Sequence, residues 1–245
     1  MNSSMKVQGD SALSERFEVA FNNIHHVLKQ LNPHEYQDAF MKLLSISSRK
    51  HHFIQSFYGD LKQFAKLRNA LVHEKLQTDT YIATPNEEIV LQIEKIARQL
   101  SAPPKVMKIA TKTVVTLQST HSIEYVIKTM ATSSYNQFPI YQDHQFSFLL
   151  TEGALTNWLA RHIKDGQINL TKSTADELKG YEDEHNVSFV SKNMNILELE
   201  DLFEQFFQQK RKLEAVIVTE NGSSNERPLG IITPWDLIEI DLLHL

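Results

Sequence analysis

Apolar residues in the first hundred positions recur at helical spacing. Phe17, Phe21, Ile24, Leu28 and Leu31 follow one another at intervals of four, three, four and three, which lays one apolar stripe along a helix. Ser11 is the expected N-cap of that helix. Asn32-Pro33 interrupts the stripe and restarts it, because Asn caps a helix and Pro suits its first turn. Tyr36, Phe40, Leu43 and Leu44 then continue as a second helix, and Gly59 separates a third from a fourth. A fifth opens at Asn86-Glu87-Glu88, with its acids where the helix dipole favours them, and ends near Leu100.

Beyond Ala102-Pro103-Pro104, a linker that cannot continue a helix, the texture changes. Residues 113–117 (TVVTL) are β-branched and predict a strand, followed by a helix over 121–130. Residues 138–141 and 146–150 flank Gln142-Asp143-His144-Gln145 as a hairpin, and 155–163 reads as a helix. The same order returns in a strand at 188–190, a helix at 196–209, hairpin strands at 215–219 and 229–233, and a closing helix at 236–243. The polar stretch 164–186 is expected to be a mobile connection. The fold class is therefore α+β: an all-helical domain over 10–101, then two β-α-β-β-α repeats over 105–163 and 187–245.

Charge divides along the same line. Residues 1–101 hold 12 Lys/Arg and 11 Asp/Glu, net +1; residues 102–245 hold 13 and 19, net −6. Seven Lys/Arg fall between Lys42 and Lys75, either a solvated helical face or a local basic field able to attract phosphate. Cysteine is absent, which excludes disulfides, thiolate metal sites and a cysteine nucleophile. The adjacent pairs His25-His26 and His51-His52 point about 100° apart on a helix, so no metal site is expected. The N-terminus lacks the apolar core of a secretory signal, and no apolar run nears the ~18 residues of a membrane span. A cytoplasmic protein with no membrane association is expected.

Gly230-Ile231-Ile232-Thr233-Pro234-Trp235-Asp236-Leu237 carries the most specific signal. With the repeated strand and helix order, it resembles the signature that closes a CBS (cystathionine-beta-synthase) repeat, so residues 105–245 resemble a tandem CBS pair. The resemblance implies two clefts able to hold an adenine nucleotide (AMP, ADP or ATP) or S-adenosylmethionine, with no cofactor required. Asp236 at a helix start suits ribose hydroxyls, and Thr233 with the helix N-terminus suits a phosphate. The resemblance places Lys108 and Thr113 against the same cleft, with Ala215 and Val216 as walls. Thr233 and Asp236 also fit a simple helix cap. In the first repeat Thr151 is kept, but Ala154 stands where the aspartate would be, so at most one well-formed site per chain is expected. Trp158 and Trp235 are expected to pack on the closing helices.

In the helical part, Arg68-Asn69-Ala70-Leu71-Val72-His73 is similar to the R-x4-H motif of HEPN domains, which are helical, usually dimeric, and in many cases metal-independent endoribonucleases. Histidine fits proton transfer from a 2′-hydroxyl near neutral pH, and arginine fits a pentavalent phosphate. The resemblance thus implies Arg68, Asn69 and His73 as catalytic residues on RNA in a homodimer. A helix-end network with Arg68 paired to a carboxylate such as Asp60 is the other reading. Three functions follow: a regulatory protein whose CBS pair senses a nucleotide and adjusts the helical domain, a CBS-regulated endoribonuclease, and a dimerisation scaffold.

Overall fold

Helix α1 runs over Asn2–Gln30, the first element of a computed structural model that describes residues 2–73, 84–133, 135–164, 167–183 and 185–242. It starts well before Ser11, which lies inside it. Residues 2–10 contain no proline and a single glycine, so nothing there stops the helix. Helices α2 (Phe40–Lys50), α3 (His52–Gln55), α4 (Tyr58–His73) and α5 (Glu87–Ser101) follow. The predicted restart at Pro33 does not occur. Asn32 Nδ2 instead donates to Leu28 O at 2.6 Å and to Ser47 Oγ at 2.7 Å, which ties a turn back onto α1 and α2. Tyr36 is fully solvent-exposed, and the second helix begins only at Phe40. Gly59 sits in the first turn of α4, and the break falls at Ser56-Phe57.

The chain divides into two compact units, one of residues 1–104 with 240–245 and the other of 105–239. In the first, Phe17, Phe21, Ile24 and Leu28 of α1 are buried with Leu61 and Phe64 of α4 and Ile93 of α5. Phe17 meets Phe64 edge to face at 6.0 Å, a favourable aromatic geometry. Asn86 caps α5 by accepting from Glu88 N. Arg16 clamps Glu94 through two bonds of 2.8 and 2.9 Å, which hold the carboxyl below its ordinary range.

The second unit holds two sheets of identical topology. In one, β1 (Leu117–Gln118) runs parallel to β2 (Gln137–Gln142), which pairs antiparallel with β3 (Gln145–Thr151). In the other, β4 (Val187–Ser191) runs parallel to β5 (Ala215–Thr219), which pairs antiparallel with β6 (Gly230–Ile232). Helices α6 (Ile123–Thr132), α7 (Glu152–His162) and α8 (Ile196–Gln208), and a 3-10 helix at Asp236–Leu242, complete the repeats. The β2–β3 turn places Asp143 and His144 at φ of 48° and 66°, the mirror-image turn that matches strand twist.

Two departures shape the site. First, residues 113–116 do not join a strand. Thr111 instead exchanges two 3.0 Å backbone bonds with Ile231, so the lead-in to the first repeat borders the last strand of the second. Second, the supposed mobile connection contains a 3-10 helix, Ala175–Tyr181, whose Ala175 and Leu178 are fully buried against Trp158, Phe138 and Ile140. The buried alanine and leucine are three apart, the period of a 3-10 turn.

Candidate ligand-binding site

Strand β6 ends at Ile232, and the chain turns through Thr233-Pro234-Trp235 before the last 3-10 helix begins at Asp236. Residues three apart across such a turn face each other. Thr233 donates to Asp236 Oδ2 from its backbone N at 2.6 Å and from its hydroxyl at 2.9 Å, while Asp236 N donates back to Thr233 O at 3.0 Å. Both carboxylate bonds fall on Oδ2, which among the described residues leaves Oδ1 for another donor.

Beside this turn lies a cavity of about 270 Å³. Thr111, Thr113 and Val115 form one wall, Thr233, Trp235 and Asp236 another, and the entry to β2 a third. Trp235 is 78% exposed, against the expectation of packing, whereas Trp158 is 1% exposed and belongs to the core. The difference is positional: Trp158 sits mid-helix facing β2, and Trp235 sits at a turn one residue after proline. No Lys or Arg lines this cavity among the described residues. It shares Thr113 and Val114 with a more polar cavity of about 630 Å³ that contains Lys112 and Arg227.

The structure brings Thr113, Thr233 and Asp236 together. Lys108 is exposed on the 3-10 helix Val106–Lys108 and does not line the cavity. Ala215 and Val216 are wholly buried in β5; Ala215 packs with Leu149 and Ile231 behind the site. Arg211 lies over the Phe206 ring at 4.7 Å, and Lys212 bridges Glu214 at 2.6 Å.

At the corresponding turn of the first repeat, Thr151 caps α7 by accepting from Ala154 N at 3.4 Å, and Ala154 is 2% exposed. A different carboxylate serves the threonine there. Thr151 N donates to Glu182 Oε1, and Asn186 Nδ2 donates to Glu182 Oε2 at 3.0 Å and to Leu149 O at 3.4 Å. Burial pushes the Glu182 carboxyl above its ordinary range, against the lowering effect of the Thr151 bonds.

In the helical unit, Arg68 is half-buried with its guanidinium 6.0 Å from the Phe21 ring centre, a cation–π contact. Asn69 is exposed. His73 closes α4, and its side chain lies outside the described residues. Asp60 accepts from Gln92 Nε2 at 2.9 Å. A groove of about 600 Å³ between α1 and α5 is crossed by the Arg16–Glu94 pair, whose charges are already satisfied by each other.

Among the described residues no helix is long and apolar enough to cross a membrane. No family model matches the chain, and no curated protein matches it. Among solved structures, the CBS domain of a bacterial CNNM/CorC family Mg2+ transporter in complex with ATP is 18% identical, over 62% of this chain and 97% of that one, at a TM-score of 0.43. A CBS domain pair in complex with 5′-methylthioadenosine and S-adenosyl-L-methionine is 20% identical, over 56% of this chain and 98% of that one, at a TM-score of 0.41.

Proposed function

We propose that the second unit is a tandem CBS pair that senses an adenine nucleotide or a related nucleoside, and that this sensing sets the state of the helical unit. One observation carries the reading: Thr113, Thr233, Asp236 and an exposed Trp235 surround a single cavity of about 270 Å³. In this reading Asp236 accepts from the ribose hydroxyls, beginning with Oδ1. The Thr233 hydroxyl, which donates to Asp236 in the structure described, turns to the phosphate. The Trp235 ring covers the base, a sequence-tolerant stacking contact for any planar heterocycle. AMP, ADP, ATP and S-adenosylmethionine are the ligands to test. Regulation of the helical unit requires that the ligand bind two states of the protein with different affinity.

Titration calorimetry and thermal melting of the full chain with these four ligands test the reading. At least one ligand is expected to bind and to raise Tm. Asp236→Asn keeps an acceptor for Thr233 N but removes the charge; it is expected to weaken binding about 10- to 100-fold, the range for a hydrogen bond to a charged group. Binding should change the fluorescence of Trp235, separable from buried Trp158 with Trp158→Phe. No binding by any of the four overturns the assignment.

A further inference from the structure

The two repeats place the same threonine at the same turn but supply its carboxylate from different parts of the chain. In the second repeat the acid is Asp236, three residues after Thr233, and it accepts both the Thr233 N–H and its hydroxyl. In the first repeat the residue three after Thr151 is the buried Ala154. The Thr151 N–H is taken instead by Glu182, 31 residues downstream.

We propose that Glu182 is an internal occupant of the first repeat: its carboxylate fills the anion position at the start of α7, so the pair admits a phosphate-bearing ligand at the second repeat alone. The inference rests on the nucleotide-sensing reading above and specifies which of the two clefts is open.

Three features hold Glu182 in place. The 3-10 helix immediately before it is anchored in the core by Ala175 and Leu178, and Arg161 lies over the Tyr181 ring at 5.3 Å. Its second oxygen accepts from Asn186, which is 4% exposed. Asn186 in turn donates from its side chain to Leu149 O, at the place where Thr111 exchanges backbone bonds with Ile231 in the other repeat. Thr111 lines the cavity beside Asp236, whereas Asn186 at the matching place uses its amide on Glu182 and Leu149.

Electrostatics acts in the same direction. The first turn of a helix favours one anion, whether a side chain or a ligand phosphate, and Glu182 already satisfies that preference from within the chain. Asp183 and Glu214 add negative charge around it. Lys212 is the cation paired with Glu214, at 2.6 Å. A phosphate arriving there must displace one carboxylate and face two more.

The test is the AMP stoichiometry of the full chain by calorimetry, for wild type, Glu182→Ala, Ala154→Asp and the double variant. Wild type and Ala154→Asp are expected to bind one AMP per chain. Glu182→Ala should show a second, weaker event, and the double variant two events of similar strength, because it also gains a ribose anchor. Two AMP bound by wild type or by Ala154→Asp overturns the proposal, since neither lacks Glu182. One AMP bound by Glu182→Ala overturns it as well. Because position 154 is buried, Glu182→Ala alone decides if the Ala154→Asp chains do not fold. No AMP bound by wild type overturns both this inference and the sensing assignment; one AMP bound by wild type and Glu182→Ala alike overturns only the role of Glu182.

Discussion

Single side chains do their work in this protein where short segments close on themselves. Glu226 is one such residue. Asn221 donates to it from its backbone N at 2.8 Å and from its side chain at 2.6 Å, and Ser223 N adds a longer bond. The loop they close contains Gly222 at φ +88°, where a Cβ would sit 3.0 Å from Ser191 N. The Asn221 bonds hold the Glu226 carboxyl down at about 2, from an ordinary 4.5. A carboxyl lowered on folding contributes stability above its unfolded value and loses it as pH falls toward its folded value. Wild type is therefore expected to lose urea resistance between about pH 4.5 and about pH 2 more steeply than Glu226→Gln. Parallel midpoints across that window would show that the loop bonds do not distinguish the charged form. Thr233 and Asp236 stood out in the sequence as a helix start, though not as partners of each other; residues three apart meet where the chain turns. Glu182 did not stand out. Its partner Thr151 lies 31 positions upstream, and nothing in the polar stretch between them marks which acid turns inward. Trp235 misled in the other direction, since an aromatic residue is by default buried.

At the scale of elements, the sequence was most readable where a period ran long. The stripe from Phe17 to Leu28 became the buried face of α1, and the β2–β3 hairpin followed from its two-residue turn. Ends and unpaired segments were less readable. Residues 113–116 have strand composition, yet they have no ladder to join until β1 at Leu117; Thr113 and Val114 instead wall two cavities. The 164–186 connection concealed an element because the described side chains that pack on the core, Ile168, Leu170, Ala175, Leu178 and Tyr181, follow at intervals of two, five, three and three, too uneven to produce a long period. That packing is testable. Leu178 is fully buried against Trp158, so Leu178→Ala should cost about 2–5 kcal/mol, the usual range for a leucine cavity. The measurement is a urea unfolding curve followed by Trp158 fluorescence. A loss below about 1 kcal/mol would return the segment to the status of a tether, and with it the firm placement of Glu182.

For the molecule as a whole, the α+β class was legible because unbroken helical spacing gives way, near the consecutive prolines, to alternating strand and helix patterns, and the charge balance changes with it. That imbalance bears on the choice of ligand. Residues 102–245 carry a net charge of −6, and no Lys or Arg lines the cavity beside Asp236 among the described residues. A ligand's phosphates therefore approach against the long-range field, and ATP, with more charge than AMP, is opposed more strongly. Salt acts on this term selectively. Between about 0.01 M and about 1 M ionic strength the Debye length falls from about 30 Å to about 3 Å, which removes the field of distant carboxylates but spares contacts within the cavity. The expected result is that AMP binds more tightly than ATP at low salt and that the gap narrows as salt rises. The neighbouring cavity supplies the opposing case, because Lys112 and Arg227 stand there within reach of the shared Thr113. If a longer phosphate tail lies on those two cations, ATP is the tighter ligand at low salt and weakens as salt is added. Calorimetric affinities of AMP and ATP across that range separate the two, since local cations and the overall field drive the salt dependence in opposite directions.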